Sequence, residues 1–473
     1  MEAGLTVVLD VGKTLTKLSL WGPSANLLAR ETRPNQRVDA GPFVALDAGG
    51  IEAWAEGVLR DFAKRGRIAA IMPVAHGAAL AVIKNGALAC PSPDYEEPVP
   101  AAIRADYDRD RDAFEATGSP ALPDGLNAGV QLAWLESLYP GLLDGDATIV
   151  AWPQYWAWRL SGVAATEVTS LGCHSDLWRP LEAAPSQLAR TRGWADRLAP
   201  LRAAGDVLGV VTPEWVERTG LPADAKVYCG LHDSNAALLA ARAFSEIADK
   251  ESSVVSTGTW FVAMRSPERA SDVKIEALPE SRDCLVNIDA FGTPIPSARF
   301  MGGRECEILA GVDTRRIDIK PDQPALIEAT PGVVASGMRA LPTFTAGVGP
   351  FPEGHGRWIN MPLDHAARRA ATCLYLALMA DTALELVGGG QRILVEGRFA
   401  EAQVFVRALA SLRPDDQVYV SNAEHDVSYG ALRLIDSTLP PLSGLIRVEP
   451  LDVDISAYAA QWRREASRIE AAA

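Results

Sequence analysis

One stretch of the chain organises the rest, and it reads Lys226-Val-Tyr-Cys-Gly-Leu-His-Asp-Ser-Asn-Ala-Ala-Leu-Leu-Ala240. A short β-rich run ends at Gly230, and Asp233 follows at the start of an apolar helix. A carboxylate at a strand-to-helix junction suits a general base. The simpler alternative is that Asp233 only caps the helix N-terminus, although Ser234 and Asn235 could do this as well.

A second β-run follows about twenty residues later and reads Ser252-Ser-Val-Val-Ser-Thr-Gly-Thr-Trp260. It stops at Thr257-Gly-Thr259 and then resumes as a strand. Hydroxyls and backbone N–H groups of such a turn can converge on an anion such as a phosphate. A base and a phosphate turn this close in sequence together predict phosphoryl transfer to a hydroxyl.

Length and composition limit the classes of protein to consider. The 473 residues predict two large domains or three small ones, and the 48% hydrophobic content supplies ample core. A net charge of −15 argues against a nucleic-acid partner, because phosphate contacts need clustered Lys and Arg. A neutral metabolite taken up together with Mg-ATP fits this charge better.

The cysteines and the N-terminus indicate a cytoplasmic protein. The six cysteines have neither disulfide-framework nor zinc-site spacing, and the adjacent Cys173-His174 lacks a second ligand pair. Asp10 interrupts the first apolar run, so it does not predict a signal peptide. No apolar stretch approaches the ~20 residues that span a bilayer, so we expect no membrane association.

Hydrophobic periodicity predicts an α/β core at the start of the chain. Two β-runs flank Gly12-Lys-Thr14, residues 26–32 suit a third strand, a helix is predicted over 51–66, and a strand over 68–74. His76-Gly77 closes that strand, and residues 79–90 read as a hairpin that turns at Asn85-Gly86. Further predicted segments are a proline-punctuated cover (91–125), helices (127–139, 153–162), and a linker (205–220).

The second half repeats the α/β pattern. A long buried helix is predicted over 366–387, then a strand–helix–strand unit over 392–421, a helix from Ser428, and a charged amphipathic helix over 456–473. The strand–turn–strand units at 5–21 and 252–264 resemble each other. A duplicated domain would set their turns facing each other across a cleft, where they would hold a triphosphate.

These motifs together resemble the FGGY carbohydrate kinases of the actin-like ATPase superfamily, over nearly the whole chain from Leu5 to Leu434. Asp10-Val-Gly-Lys-Thr-Leu-Thr-Lys17 is similar to the family's first phosphate motif, and Ser256-Thr-Gly-Thr259 to its second. Gly230-Leu-His-Asp233 is similar to the element that carries the catalytic base. The segment from Leu160 through Thr166-Glu167 to Asp176 resembles the rhamnulose and fuculose kinases in particular.

The resemblance implies an α/β fold of two actin-like (ribonuclease H-like) domains with a cleft between them. Residues 1–245 would form a domain for the sugar and the base, and residues 246–473 a nucleotide domain. The chain departs from the family at Glu396-Gly397, where a glycine pair is usual at the adenosine turn. It also has Gln154 where many members carry an acidic sugar contact, and Asp94-Tyr-Glu-Glu97 in place of an aromatic-x-acid-x-Arg pattern.

The implied function is ATP-dependent phosphorylation of a ketose, with Asp233 as general base and Asp10 holding Mg²⁺ through water. The ATP-binding residues would be Asp10, Gly12, Lys13, Thr14, Thr16, Lys17, Thr257, Gly258, Thr259, Gly302 and Gly397. The sugar-binding residues would be His76, Gly77, Tyr95, Gln154 and Asp233. Lys13 is favoured over Lys17 as the phosphate cation because it lies in the turn itself.

Several alternatives stay open. His76 could be structural, His232 could orient Asp233 or only pack, and the aromatic cluster over 152–158 could stack on a sugar or form core. An actin-like ATPase that uses water as acceptor would hydrolyse ATP whether or not sugar is present. A catalytically silent sugar or nucleotide sensor would bind sugar without releasing ADP. The terminal helix and the family resemblance favour a homodimer.

Overall fold

The computed structural model describes residues 4–248, 250–311, 322–421 and 427–470. The chain divides into two compact units. Residues 1–240, 286–294 and 426–440 form the first unit, and the remainder forms the second. None of the helices in the described ranges combines the length and apolar character that crossing a bilayer demands.

The strands are β1 (Leu5–Val11), β2 (Leu15–Trp21), β3 (Leu27–Pro34), β4 (Arg37–Asp39), β5 (Val44–Leu46), β6 (Ile68–Ala75), β7 (Leu80–Lys84), β8 (Ala87–Leu88), β9 (Thr148–Ala151), β10 (Trp178–Arg179), β11 (Ala184–Pro185), β12 (Val207–Val210), β13 (Lys226–Tyr228), β14 (Leu231–His232), β15 (Ser252–Thr257), β16 (Phe261–Ser266), β17 (Cys284–Ile288), β18 (Pro294–Phe300), β19 (Arg339–Leu341), β20 (Arg357–Ile359), β21 (Arg392–Gly397), β22 (Gln417–Ser421) and β23 (Leu445–Arg447).

The α-helices are α1 (Ala48–Ala63), α2 (Ala101–Asp110), α3 (Phe114–Thr117), α4 (Ala128–Leu138), α5 (Trp152–Ser161), α6 (Val168–Leu171), α7 (Gln187–Thr191), α8 (Pro213–Thr219), α9 (Asp233–Ala241), α10 (Gly302–Ala310), α11 (Gln323–Ser336), α12 (His365–Leu386), α13 (Gln403–Leu412), α14 (Val427–Ile435) and α15 (Ser456–Glu470). Short 3₁₀ turns occupy Ala195–Arg197, Ala270–Asp272, Ile275–Ala277, Glu280–Arg282 and Arg398–Glu401.

The two units contain the same arrangement of strands. In the first unit the order β3-β2-β1-β6-β13 has an antiparallel meander on one side and parallel strands on the other. In the second unit β18-β16-β15-β21-β22 repeats both the order and the directions. This repetition confirms the resemblance between the two strand–turn–strand units, since β1–β2 and β15–β16 occupy equivalent positions in their sheets.

Local signals predicted most elements correctly. The helix predicted over 51–66 begins earlier, at Ala48, because the Asp47 carboxylate caps it by accepting from Gly50 N at 2.9 Å. The hairpin β7–β8 turns at Asn85 (φ 52°) and Gly86 (φ 71°), as predicted. The predicted helix over 366–387 is α12, and most of its length is buried.

Two predictions needed correction or refinement. Residues 205–220 are not a linker, because they form β12 and α8, and the buried Trp215 anchors them by donating from its indole to Arg159 O at 2.8 Å. The terminal helix α15 packs on its own unit, where Trp462 is 1% exposed and its indole donates to Ala340 O at 2.8 Å. The predicted continuation of this helix to 473 lies outside the described residues.

Candidate active site

The Asn35 side chain stabilises the turn between β1 and β2 through hydrogen bonds. Gly12 N donates to Leu15 O at 3.0 Å and closes the turn, and the Asn35 amide donates to Gly12 O at 2.7 Å. Thr16 is fully buried, and its hydroxyl donates to Asn35 Oδ1 at 2.6 Å. Of the two threonines predicted to bind phosphate here, Thr14 is therefore the exposed one, and Thr16 braces the turn.

The two lysines of this hairpin have different partners. Lys17 Nζ lies 3.5 Å from Asp10 Oδ2, and Asp10 is 6% exposed near the end of β1. Lys13 instead pairs with Asp94 and lies 4.3 Å from the centre of the Tyr95 ring. Asp10 itself offers a carboxylate oxygen, the ligand type that Mg²⁺ prefers. Lys17, rather than Lys13, is the lysine beside this carboxylate.

A cavity of about 210 Å³ opens beside the hairpin in the first unit. Polar and charged side chains dominate its lining, which includes Lys13, Thr14, Asn35, Gln36, Arg37, Asp47, His76, Asp94, Glu96 and Trp152. Its volume is below the ~300–1,000 Å³ of pockets for drug-sized ligands, so it suits one small polar molecule. Sequence reasoning missed Asn35, Gln36 and Arg37, although a polar run directly after a strand was the available signal.

The catalytic candidate Asp233 is placed by the strands of the first sheet. Asp10 of β1 is in register with Val74 of β6, and Val74 is in register with Leu231 of β14. Since these three strands are parallel, Asp10 and Asp233 lie at the same edge of the sheet, where the strands end. Gly230 makes this possible: its φ is 82°, and a Cβ there would lie 2.2 Å from Pro73 O.

The Asp233 carboxylate is partly exposed, at 28% of its side-chain surface. His232 Nε2 lies 3.1 Å from Oδ1, and the Ser234 hydroxyl donates to the same oxygen at 3.3 Å. Within the described residues Oδ2 accepts no hydrogen bond. One carboxylate oxygen is therefore oriented by neighbours while the other remains available.

His76 stands at the end of β6, between the cavity and Asp233. Burial lowers the pKa of His76, and the charge of Lys13 lowers it further. The Gly77 carbonyl, 2.6 Å from Nδ1, and the charge of Asp233 oppose this shift. The Tyr95 ring packs edge-on against the imidazole, with centroids 5.6 Å apart. Of these predicted sugar contacts, His76 lines the cavity and Tyr95 packs behind it, whereas a Cβ on Gly77 would face Cys173.

The other predicted sugar contacts have structural partners. Gln154 is fully buried, and its amide donates to Gly230 O at 3.0 Å, so it braces the segment before Asp233 and is not among the cavity-lining residues. Trp156 is 1% exposed and Trp158 8%, and Trp152 stacks on Tyr155 with centroids 5.0 Å apart. The aromatic cluster is therefore core, although Trp152 also touches the cavity.

In the second unit the turn after β15 is tied to β21. Thr257 is buried, and its hydroxyl donates to Glu396 O at 2.5 Å and accepts from Phe399 N at 3.0 Å. Thr259 is exposed, and a Cβ on Gly258 would meet only Trp260 O, at 3.7 Å. Gly258 and Thr259 therefore have free space beside them, whereas the Thr257 hydroxyl is already used.

Close backbone contacts explain the glycines around this turn. A Cβ on Gly303 would lie 2.2 Å from Gly258 O, and one on Gly397 (φ 84°) would lie 2.2 Å from Thr257 O. Gly302 packs on the Phe261 ring, to which a Cβ would approach within 2.6 Å. These glycines shape the turn, and nothing in their packing assigns them a ligand.

Glu396 is a buried carboxyl beside the same turn. Burial raises its pKa to about 7, which the Ser256 hydroxyl only partly offsets. Within the described residues its Oε2 has no hydrogen-bond partner. No group of three or more His, Cys, Asp or Glu side chains in those ranges could hold a metal ion, and this includes the neighbourhood of Cys173-His174.

Comparisons with known proteins agree with this fold. Residues 249–441 match the family model described as "Carbohydrate kinase FGGY, C-terminal domain". A carbohydrate kinase from Novosphingobium aromaticivorans is 55% identical, with 97% of this chain and 100% of that chain covered and a TM-score of 0.93. No curated protein matches the chain.

More distant structures are similar in fold alone. Gluconate kinase from Lactobacillus acidophilus is 15% identical, covers 99% of this chain and 98% of its own, and has a TM-score of 0.79. Plasmodium falciparum glycerol kinase with ADP is 12% identical, covers 98% of each chain, and has a TM-score of 0.76. Together these structures confirm the predicted α/β fold with two actin-like, ribonuclease H-like domains.

Proposed function

Because the chain belongs to the FGGY carbohydrate kinases, which are phosphotransferases, we propose that it uses ATP to phosphorylate a hydroxyl of a neutral ketose. The observation that carries this proposal is the geometry of Asp233, whose Oδ1 is oriented by His232 and Ser234 while Oδ2 accepts no hydrogen bond within the described residues. The subgroup resemblance favours L-rhamnulose, L-fuculose or a ketopentose.

In the proposed reaction Asp233 is the general base. Its Oδ2 takes the proton of the substrate hydroxyl, the freed oxygen bonds to the γ-phosphorus of ATP, and the bond between that phosphorus and the ADP oxygen breaks. Asp10 would hold Mg²⁺, which when bound neutralises negative charge on the phosphates. Lys17, 3.5 Å from Asp10, would add positive charge there.

The nucleotide assignment follows the two exposed turns. In the proposed first domain (1–245) Gly12 and Thr14 would contact the phosphates, and in the second (246–473) Gly258 and Thr259 would do so. Thr16 and Thr257 would act through the shape of the turns, because their hydroxyls have partners inside the protein. Gly302 and Gly397 would shape the second turn in the same way.

The substrate assignment follows the charges of the cavity. Lys13 pairs with Asp94, and Arg37 lies 3.1 Å from Asp94 and 2.7 Å from Glu97. Lys13 Nζ also lies 3.7 Å from Glu96, so these two cations face the three carboxylates of Asp94, Glu96 and Glu97. A sugar acid would bring its own negative charge against Asp94 and Glu96, so the cavity favours an uncharged polyol.

The test is an ADP-release screen with Mg-ATP over ketoses, polyols and sugar acids, run on wild type and Asp233→Asn. We expect turnover on a neutral ketose, no turnover on gluconate, and a loss of ~10²-fold or more in the variant. Asp224→Asn is the matched control, because Asp224 pairs only with Arg67 on the exposed surface in the described structure.

Other outcomes would contradict the proposal. ADP release that is independent of sugar would identify an ATPase with water as acceptor, and sugar binding without ADP release would identify a sensor. An Asp233→Asn enzyme as active as the Asp224→Asn control would remove Asp233 from the role of base.

A further inference from the structure

Two buried side chains, Cys173 and His232, stand directly behind Asp233 and are hereafter the Cys173–His232 pair. Cys173 Sγ lies 3.6 Å from His232 Nε2, and the same nitrogen lies 3.1 Å from Asp233 Oδ1. Cys173 is 3% exposed and His232 6%. The nitrogen thus faces a sulfur and a carboxylate oxygen at once, and both are acceptors for its proton.

The backbone of His232 is fixed independently of its side chain. His232 N donates to the Thr169 hydroxyl at 2.9 Å, and that hydroxyl donates to Glu167 Oε2 at 2.6 Å. Glu167 in turn caps α6 by accepting from the backbone of Thr169 and Ser170. A substitution of the imidazole therefore leaves these contacts in place, and its effect on Asp233 can be measured in a folded protein.

The backbone beside the pair, at position 77, has room for glycine only. A Cβ on Gly77 would lie 2.6 Å from Cys173 Sγ and 3.0 Å from His232 Nε2. Gly77 directly follows His76 at the end of β6. The sulfur and the imidazole thus lie against the backbone that follows β6, next to the cavity-lining His76.

The electrostatics of the pair agree with its geometry. Burial by itself would raise the pKa of Cys173, but the charges of His174 and His232 lower it below its ordinary value. Burial would lower the pKa of His232, but Cys173 and Asp233, with Glu167 behind them, raise it. Each member therefore favours the charged form of the other.

We propose that the Cys173–His232 pair is a positioning device for the catalytic base: His232 Nε2–H donates to Asp233 Oδ1, and Cys173 holds the imidazole in that orientation. The proposal rests on the proposed function of Asp233. The donated hydrogen bond fixes one oxygen of the carboxylate and so directs Oδ2 at the substrate hydroxyl.

The first measurement does not depend on activity. Thiolates absorb in the far ultraviolet, and burial raises the pKa of the five other cysteines, Cys90, Cys229, Cys284, Cys306 and Cys373. Wild type should therefore show a thiolate band at neutral pH that is absent from Cys173→Ser. In His232→Gln the band should develop at higher pH than in wild type, since the charge of His232 is gone while that of His174 remains.

The second measurement is kinetic and uses two substitutions at one position. Gln can place an amide N–H where Nε2 lies, whereas Leu fills the volume without a donor. We expect His232→Leu to lose ~10- to 100-fold in kcat with an unchanged KM for ATP, since a misplaced catalytic group costs rates of this order. His232→Gln should recover most of the kcat.

The pH dependence of the thiolate band must be read with the charged groups around the pair in mind, namely His174, Glu167, Asp233 and His76. Cys173→Ala should show a smaller kcat loss than His232→Leu. Cys373→Ala, a buried cysteine in α12 of the second unit, is the control and should leave kcat unchanged.

Two results would overturn the proposal. One is a wild-type spectrum without a Cys173-dependent thiolate. The other is a His232→Gln enzyme as impaired as His232→Leu, which would reduce the imidazole to packing. If wild type phosphorylates no sugar at all, the proposed function fails, while the absorbance result still decides how the pair is ionised.

Discussion

A Gly430→Ala substitution should test how α9, the helix that begins at Asp233, is held in the first unit. Gly430 lies in α14, and a Cβ added there would be 1.7 Å from Ala236 O and 3.0 Å from Ala240 N, both in α9. The obstacle is backbone, which cannot rotate away as a side chain can. The two helices must therefore separate if the methyl group is to fit.

The size of the effect follows from that distance. Ordinary contact begins at 3.4 Å, so α9 and α14 must move apart by about 1.7 Å at this point. Overpacking of this kind costs typically ~1–3 kcal/mol, and we expect about 3 kcal/mol here. The higher helix propensity of Ala returns about 1 kcal/mol, which leaves a net loss of about 2 kcal/mol in the free energy of unfolding.

The assay is calorimetric unfolding of Gly430→Ala beside Gly57→Ala. Gly57 lies inside α1 of the same unit, and a Cβ there would meet nothing within 4 Å. At ~2–4 °C per kcal/mol for a domain of this size, Gly430→Ala should lower the unfolding midpoint by about 4–8 °C. Gly57→Ala should raise it by about 2–4 °C, because only the propensity term acts there.

A Gly430→Ala protein that melts at or above wild type would refute this reasoning, because the close approach of α9 and α14 would then carry no cost. A drop of equal size in Gly57→Ala would refute it differently, since the loss would then follow from replacing any helical glycine.

Two further predictions concern the charged residues of the two units. Lys13→Ala should raise the KM for sugar and leave the KM for ATP unchanged, because Lys13 pairs with Asp94 at the cavity. Lys17→Ala should instead raise the KM for ATP, because Lys17 lies beside Asp10. Steady-state kinetics with both substrates checks this, and the reverse pattern would contradict it. For Glu396, burial raises the folded-state pKa to about 7. The folded protein therefore binds this proton more tightly than the unfolded chain does. The stability gained from that proton is present at low pH and is lost as pH rises from about 4.5 to about 7. Urea unfolding at about pH 5 and about pH 8 should therefore show wild type losing stability relative to Glu396→Gln as pH rises, and a difference that does not depend on pH would contradict the assignment.

Much of the fold could be predicted because its signals are local. A few neighbouring residues specify the backbone geometry at three places: the turn at Asn85-Gly86, the glycine before Asp233, and the strand–turn–strand motif at Thr257-Gly-Thr259. The linker prediction for 205–220 failed although α8 has local signals, namely Pro213 in its first turn and the left-handed Gly220 at its end. What no local pattern shows is the partner of Trp215, whose indole donates to Arg159 O.

The same division separates the predicted site residues. Thr16 and Thr257 lie in the turns where they were expected, but their hydroxyls bond to Asn35 and to the β21 backbone. Lys13 lies in the first turn but reaches Asp94, 81 residues away in sequence. Position in a motif thus predicted where each residue lies, and not which partner its side chain takes.

By itself the sequence predicted the class of chemistry, because the candidate base and the candidate phosphate turn each lie in a short run of residues whose backbone requirements are local. Only the tertiary structure decided which groups surround Asp233. Cys173 and His232 are 59 residues apart and meet through the packing of α6 against β14. The groups within a few ångströms in space decide which partner a side chain has, how it is ionised and which of its oxygens accepts no hydrogen bond. Sequence order does not record those distances.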